Sequence, residues 1–388
     1  MRTQLTFGIL GLSLLSALPA CKKNNNDGHS NSNPTGKPDT VYVLGTTNQA
    51  NVYWVNGVEN QLSSPTGVIQ APSLAVSGTT VYVGGSVVKG GTLQGNAEIW
   101  VNGVGSALPD SGAGSGSTIF VSGNDVYLAG ISSYTTPSTV PYTTPNAAYP
   151  LYWNVATYWK NGVAASLLNV PIVGYMVGYG VDSHDDYVSS MFVSGNDVYV
   201  AGGSRQYQQG NPVSYQFAGY WKNGQFVNLS AGLIDTTQGN SSQFMMAYPN
   251  TTAIYVSGND VYLTGVVYGQ SSNQAVYWKD GAASYLQGAG GRLTAANGIF
   301  VSGSDVYVAG AATDNEGNQS AIYWKNGVPS TLSTAAGNSG ANAICVLDTN
   351  VYVAGYSDSV GVSYATYWKN GVPVRLGAYG AASAIYVK

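Results

Sequence analysis

The sequence runs to 388 residues, with 8% charged side chains, 51 Gly, 30 Tyr and a formal net charge of −4. So low a charge excludes a charged disordered chain and a coiled coil, and a mildly acidic chain without a Lys/Arg cluster carries no electrostatic footprint for nucleic acid. Frequent Gly and Tyr suit many short strands joined by turns, and a single all-β architecture reaches this length.

The chain opens with Arg2, an apolar run over residues 5–18, and Leu18-Pro19-Ala20-Cys21. That is the layout of an export leader, and the run is too short for a stable membrane span. The ending Leu-x-Ala-Cys resembles the lipobox of bacterial lipoproteins. The resemblance implies a signal peptide over 1–20, a lipid on Cys21 and attachment to the bacterial cell envelope, with the outer membrane expected. An ordinary secretory signal cut near Ala20 is the alternative. Residues 21–38 are rich in Asn, Ser, Gly, Pro and Lys and read as the lipidated Cys and a flexible tether. Cys345 stands where the repeat described next has Phe120 and Phe300, and reads as an unlinked, small buried hydrophobe.

From residue 39 two phrases alternate. The first is whole at Ile119-Phe120-Val121-Ser122-Gly123-Asn124-Asp125-Val126-Tyr127-Leu128-Ala129-Gly130. Its Val-Tyr step recurs at Tyr42, Tyr82, Tyr127, Tyr199, Tyr262, Tyr307 and Tyr352, at spacings of 40, 45, 72, 63, 45 and 45 residues. The second, Tyr-Trp-Lys-Asn-Gly in its full form, is centred on Trp54, Trp100, Trp159, Trp221, Trp278, Trp324 and Trp368. A period near 45 with regular turn signals marks a propeller or a related array.

Each repeat reads as four strands. Strand a (Ile-Phe-Val-Ser) leads through a Gly-Asn turn of type II′ into strand b (Asp-Val-Tyr-Leu-Ala-Gly). Strand c carries the aromatic pair, and an Asn-Gly turn of type I′ leads to a short strand d. Strands a and b are apolar at nearly every position, so both their faces should be buried. The domain begins with a strand b at residues 40–45 and ends with a strand a at 384–387. Pairing these completes a blade from both chain ends and removes the exposed edges of an open array. The expected fold is all-β: a seven-bladed β-propeller over 39–388, with four-stranded antiparallel blades, closed by the N-terminal strand b on the C-terminal strand a. A monomer is expected.

Charges support the register. Asp125, Asp197, Asp260 and Asp305 open strand b where Lys160, Lys222, Lys279 and Lys325 close strand c, which places them side by side in an antiparallel pair. Thr40 and Thr80 stand opposite Val55 and Val101, and Asn350 with Lys369 is left as a polar pair. These charges read as structural.

The repeat pattern resembles bacterial seven-bladed β-propeller repeat proteins and is similar in layout to kelch-like repeats, with a double Gly at Gly84-Gly85 and Gly202-Gly203. The resemblance covers residues 39–388 and implies a fold; such repeats serve enzymes, adhesins and scaffolds alike.

Length variation falls on the b–c and d–a connections, which share one face. Blades three and four carry the long ones, over 132–156 and 169–190. Tyr142, Tyr149, Tyr152, Trp153, Tyr175, Tyr179, Tyr207 and Tyr215 are the candidate binding residues, because flat aromatic rings with a polar edge suit sugars or protein partners. The same aromatics could instead pack on one another. Asp182, His184, Asp185 and Asp186 are weak candidates for a metal or for acid–base work; a solvated acidic loop is the plainer reading. No Gly-x-Ser-x-Gly elbow occurs. The expected function is a non-enzymatic envelope lipoprotein that presents an aromatic loop face to a glycan or protein, with no cofactor. The alternative is a polysaccharide-active hydrolase or lyase using the acidic stretch.

Overall fold

The computed structural model describes residues 38–48, 50–63, 68–88, 95–108, 113–134, 153–167, 181–208, 211–230, 248–268, 273–288, 293–332 and 337–388. Its regular elements are all strands. They begin with β1 (Val41–Thr47), β2 (Ala50–Val55) and β3 (Val58–Gln61). A second unit is β4 (Val68–Ser77), β5 (Thr80–Val88), β6 (Gly95–Val101) and β7 (Val104–Ala107). The third is β8 (Ala113–Ser122), β9 (Asp125–Tyr134), β10 (Trp153–Lys160) and β11 (Val163–Ser166). The fourth is β12 (Val181–Ser194), β13 (Asp197–Gln208), β14 (Asn211–Lys222) and β15 (Gln225–Asn228). The fifth is β16 (Tyr248–Ser257), β17 (Asp260–Tyr268), β18 (Asn273–Lys279) and β19 (Ala282–Leu286). The sixth is β20 (Leu293–Ser302), β21 (Asp305–Thr313), β22 (Gln319–Lys325) and β23 (Val328–Thr331). The last is β24 (Ser339–Leu347), β25 (Asn350–Ser359), β26 (Val362–Lys369) and β27 (Val372–Ala378), followed by β28 (Ala382–Val387).

Within each unit consecutive strands pair antiparallel, and β28 pairs antiparallel with β1 to give the order β28-β1-β2-β3. Five sheets have four strands, and one has eight, because β10 and β12 pair in parallel at Trp153–His184 and Asn154–Asp185. The first strands pack on one another in the order β4, β8, β12, β16, β20, β24, β28, and β28 packs against β4.

Burial follows strand position. β24 is buried at every residue but its last, while β3 and β11 are mostly exposed. The seven tryptophans of the repeat are at most 1% exposed, so they form the thickest part of each core layer. Trp100 Nε1 donates to Ser63 O at 2.9 Å and Trp324 Nε1 to Gln287 O at 2.7 Å, which ties a third strand to the end of the preceding unit. On successive first strands Phe120, Phe192, Tyr255 and Phe300 touch in order, with centroids 5.0, 5.0 and 5.1 Å apart. Cys345 takes the corresponding place in β24, fully buried, and it is disulfide-bonded. That replaces the expectation of an unlinked thiol; its partner lies outside the described residues.

The turns have the predicted backbone. Asn161 and Gly162 sit at φ +49° and +84°, as type I′ requires, and Gly123 at +61°, as the first residue of type II′ requires. In the c–d turns the side chain at the first of these positions also accepts a backbone N–H from the second strand. Val41 donates to Asn56, Val81 to Asn102, Val126 to Asn161, Val198 to Asn223, Val261 to Asp280, Val306 to Asn326 and Val351 to Asn370, all at 2.8–2.9 Å. The Nδ2 groups of Asn161, Asn223 and Asn326 go on to Asp125, Asp197 and Asp305. Asp280 has no proton to offer Asp260. Replacing Asp280 with Asn should therefore raise the melting temperature by about 1–2 °C. A scanning-calorimetry midpoint that falls would show that this donor contributes nothing.

The expected Lys–Asp pairs are present at 2.8–3.1 Å, each lysine also lying over a second-strand tyrosine. The lysines hold the carboxyls of Asp125, Asp260 and Asp305 below the usual range, and Asn223 followed by Lys222 does so for Asp197. The last unit departs from expectation. Lys369 pairs with Asp39 at 3.1 Å, and Asn350 is engaged by Asn370 instead. In the first unit Lys388 lies over Tyr42, filling the cation position that Val55 leaves empty on β2.

Candidate functional site

Every first strand carries a β-bulge. The ladder slips between Gly116 and Thr118, Val188 and Ser190, Thr251 and Ala253, Ala296 and Gly298, and Ala341 and Ala343. It slips likewise between Gln70 and Ser73, and where β28 faces Leu44 and Gly45. The extra residue re-aims its side chain out of the ladder. In six of these strands it is small and polar: Ser117, Ser189, Thr252, Asn297, Asn342 and Ser383. Pro72 is its counterpart in β4.

Four of these side chains bridge one unit to the next: Ser189 Oγ meets Thr251 Oγ1 at 3.4 Å, and the other three donate to a carbonyl. Thr252 Oγ1 donates to Ala296 O at 2.7 Å, Asn297 Nδ2 to Ala341 O at 2.8 Å and Asn342 Nδ2 to Ala382 O at 2.9 Å. Ser383 Oγ reaches Leu44 O within its own sheet at 3.3 Å. Pro72 has no donor to contribute.

A cavity of about 620 Å³ lies beside this belt, between the first strands of units two to five and the β1–β2–β28 sheet. Its polar wall includes Gln70, Ser117, Asn250, Thr251, Thr252 and Ser383, with Tyr187 as its single aromatic residue. Among the described residues the lining contains no Asp, Glu, Lys, Arg or His. Several hydroxyl protons are already committed: Thr251 Oγ1 donates to Gly202 O at 3.1 Å, and Thr252 and Ser383 donate as above. The Tyr187 hydroxyl accepts from Thr251 N at 3.4 Å, and burial pushes its pKa up to about 12. Asn250 is 8% exposed, and its Oδ1 is buried with no hydrogen-bond partner. Thr251 Oγ1 also meets Ser189 Oγ at 3.4 Å and Thr252 Oγ1 meets Thr264 Oγ1 at 3.1 Å, so these hydroxyls are engaged on both sides.

The cavity sits at the end of the sheets where first strands begin and second strands end. Segments 135–152, 168–180 and 231–247 connect strands at that same end. β12, β13 and β14 are 14, 12 and 12 residues long, whereas β16, β17 and β18 have 10, 9 and 7. The fourth unit thus extends past its neighbours by about 13 Å, at some 3.3 Å per residue.

No family model matches the chain, and no curated protein does. Among solved structures it is similar to YjhT at 13% identity and TM-score 0.37, covering 80% of this chain and 98% of that one. The acylaminoacyl peptidase of Pyrococcus horikoshii gives 12% identity and TM-score 0.41, covering 89% of this chain and 51% of that one. An endosialidase of phage phi92 gives 12% and 0.38, covering 82% of this chain and 60% of that one. The chain spans about half the length of the peptidase.

Of the aromatic candidates, Trp153 opens β10, and Tyr207 and Tyr215 lie in the extended parts of β13 and β14, paired with Ser214 and Gln206. Tyr142, Tyr149, Tyr152, Tyr175 and Tyr179 lie outside the described residues, as does Cys21.

The acidic stretch is not a solvated loop. Residues 181–194 form β12. Asp185 Oδ1 accepts from Asn154 Nδ2 at 2.7 Å, and Asn154 in turn accepts from Ser133 Oγ at 2.6 Å. Asp186 is buried and accepts from Ala156 N at 3.0 Å. It fills the place of Thr294 and Ser339, which accept from Ala275 N and Ala321 N in the same way. Asp182 and His184 are placed in β12 by backbone only. Among the described residues no group of three or more His, Cys, Asp or Glu could hold a metal.

The bulge residues escaped the reading of the sequence. Their signal is a small polar residue two places before the Ile or Met of every first strand but β4, as in Asn297-Gly298-Ile299 and Ser383-Ala384-Ile385.

Proposed function

We propose that the chain is an exported seven-bladed β-propeller, each four-strand unit one blade, closed by β28 on β1. It binds a glycan or protein partner without catalysis, at the end where the connections of blades three and four leave. One observation carries this reading: the cavity and the protruding strands of the fourth unit occupy that same end. The eight-stranded sheet, held by Asn154 and Asp185, gives both insertions a common rigid base. Among the described residues the cavity wall offers no pair of carboxyls of the kind hydrolysis needs, which supports binding over hydrolysis.

A glycan array and an envelope pull-down should each lose their hits in a Tyr152→Ala, Trp153→Ala, Tyr179→Ala variant that keeps the wild-type melting temperature. Hits that survive in it sink the loop-face reading. The hydrolase alternative is favoured only if polysaccharide cleavage is detected and disappears in Asp182→Asn, His184→Ala.

The leader argues for the bacterial envelope, with attachment through Cys21. The sequence holds two cysteines and Cys345 is disulfide-bonded in the structure, so a lipid thioether at Cys21 requires that bond to be absent from the mature protein, and the two are alternatives. The intact mass of the mature protein separates them: acyl chains establish the anchor, and their absence removes it.

A further inference from the structure

We propose that Asn56 is a site of spontaneous covalent modification, the one Asn-Gly step of the folded domain whose side-chain amide water converts readily to a carboxyl. The proposal is independent of the binding function above.

Asn-Gly is where this chemistry is least obstructed, because the glycine has no Cβ to shield its own N–H. The glycine nitrogen bonds to the asparagine Cγ, the Cγ–Nδ2 bond breaks, and Nδ2 leaves as ammonia with the proton of the glycine N–H. Water then opens the cyclic imide at either carbonyl, giving aspartate or a β-linked isoaspartate. One water is consumed and one ammonia released, with no change of oxidation state.

For the ring to close, the carboxamide must turn away from its hydrogen-bond partners. The sequence holds seven Asn-Gly steps. One, at Asn297, lies within β20, with Nδ2 bound to Ala341 O. The other six are c–d turns in which the asparagine is exposed and its φ lies between +48° and +52°, so neither water nor this torsion ranks them. The grip on Nδ2 does. In Asn161, Asn223 and Asn326 a carboxylate holds it at 2.7–2.8 Å, and in Asn370 the Oδ1 of Asn350 does so at 2.8 Å.

In the first two units Thr40 and Thr80 stand in place of the carboxylate. There Asn56 and Asn102 make a single side-chain bond each among the described residues, Oδ1 accepting from Val41 N at 2.8 Å and Val81 N at 2.9 Å. Asn102 is restrained by another route. Gly103 is buried, its carbonyl accepts from Ser63 N at 2.9 Å and Ser63 Oγ at 3.1 Å, and a Cβ on it would lie 2.8 Å from Gln61 O. Around Gly57 a Cβ would meet nothing within 4 Å. Asn56 alone joins a loosely held amide to an unpacked glycine.

The site falls on the sheet that joins the two chain ends. Ring closure breaks the bond to Val41 N, and Val41 pairs with Val387 of β28. Aspartate suits the position, since Asp280 occupies it in the fifth unit and accepts from Val261 N at 2.8 Å. Isoaspartate adds a carbon to the backbone of a two-residue turn whose geometry leaves no room for it. The isoaspartyl product is therefore the one that loosens the β1–β28 pair.

The test holds the full mature protein in warm, mildly alkaline buffer and follows every Asn-Gly step by peptide mapping with mass spectrometry. Asn56 should convert about tenfold faster than Asn161, Asn223 or Asn326, the factor one hydrogen bond to a charged group supplies. In urea the same steps should convert at similar rates. Thr40→Asp, which restores the missing carboxylate, should slow Asn56 to the rate of Asn161. Conversion of Asn56 no faster than Asn161, the same ranking in urea as in the folded protein, or an unchanged rate in Thr40→Asp overturns the assignment.

Discussion

Gly310→Ala is expected to destabilise the protein by about 3 kcal/mol, at the upper end of what overpacking costs. A Cβ there would lie 1.8 Å from Ala295 O and 3.0 Å from Trp324 Cζ3. The obstacle is backbone, so no side chain can swing aside. The carbonyl is aimed at the glycine because the bulge at Asn297 turns the strand just beyond it. Gly130, Gly202, Gly265 and Gly355 face equivalent carbonyls at 1.8–2.0 Å. Gly327→Ala is the control: φ is +81° but nothing lies within 4 Å, so its cost is backbone strain alone, about 1 kcal/mol. Urea unfolding of the two variants should separate them clearly. Equal losses would mean that the bulge does not dictate the glycine.

Deletion of residues 382–388 should abolish cooperative folding. It removes β28, whose Ile385, Tyr386 and Val387 are 0%, 9% and 2% exposed. Burial of three such side chains contributes about 5–9 kcal/mol, comparable with the whole stability of an ordinary domain. The deletion also leaves one edge of β1 unpaired, inviting aggregation. A synthetic peptide spanning 380–388 should restore solubility and a sharp thermal transition. If the truncated chain melts as a monomer at the wild-type midpoint, β28 is dispensable and the two ends do not hold the molecule together.

The repeat was legible because each turn needs a particular residue. Asn at φ near +50° followed by Gly can be read as a hairpin wherever it occurs, and Asn161-Gly162 or Asn326-Gly327 needs no tertiary context. Lys160 and Asp125 were legible as partners because register follows from the turn between their strands. Asp39 was not, since its partner Lys369 stands 330 residues away and Asp39 precedes the first strand. The acidic run at 182–186 resembled a loop because burial of Asp186 depends on one N–H of another unit, Ala156. The bulges were missed for a related reason. Ser117 and Asn342 interrupt apolar strands only slightly, and what they do becomes visible when neighbouring units are seen together. The cavity follows from that arrangement, so Asn250 could not have been singled out from its own surroundings in the sequence.

The pairing of β1 with β28 also bears on the order of events during synthesis. Leu44 and Ser383 meet across 339 residues, so a strand made early waits for one made much later. Contacts so remote in sequence form slowly, and a nascent chain held open in this way stays threadable until it is complete.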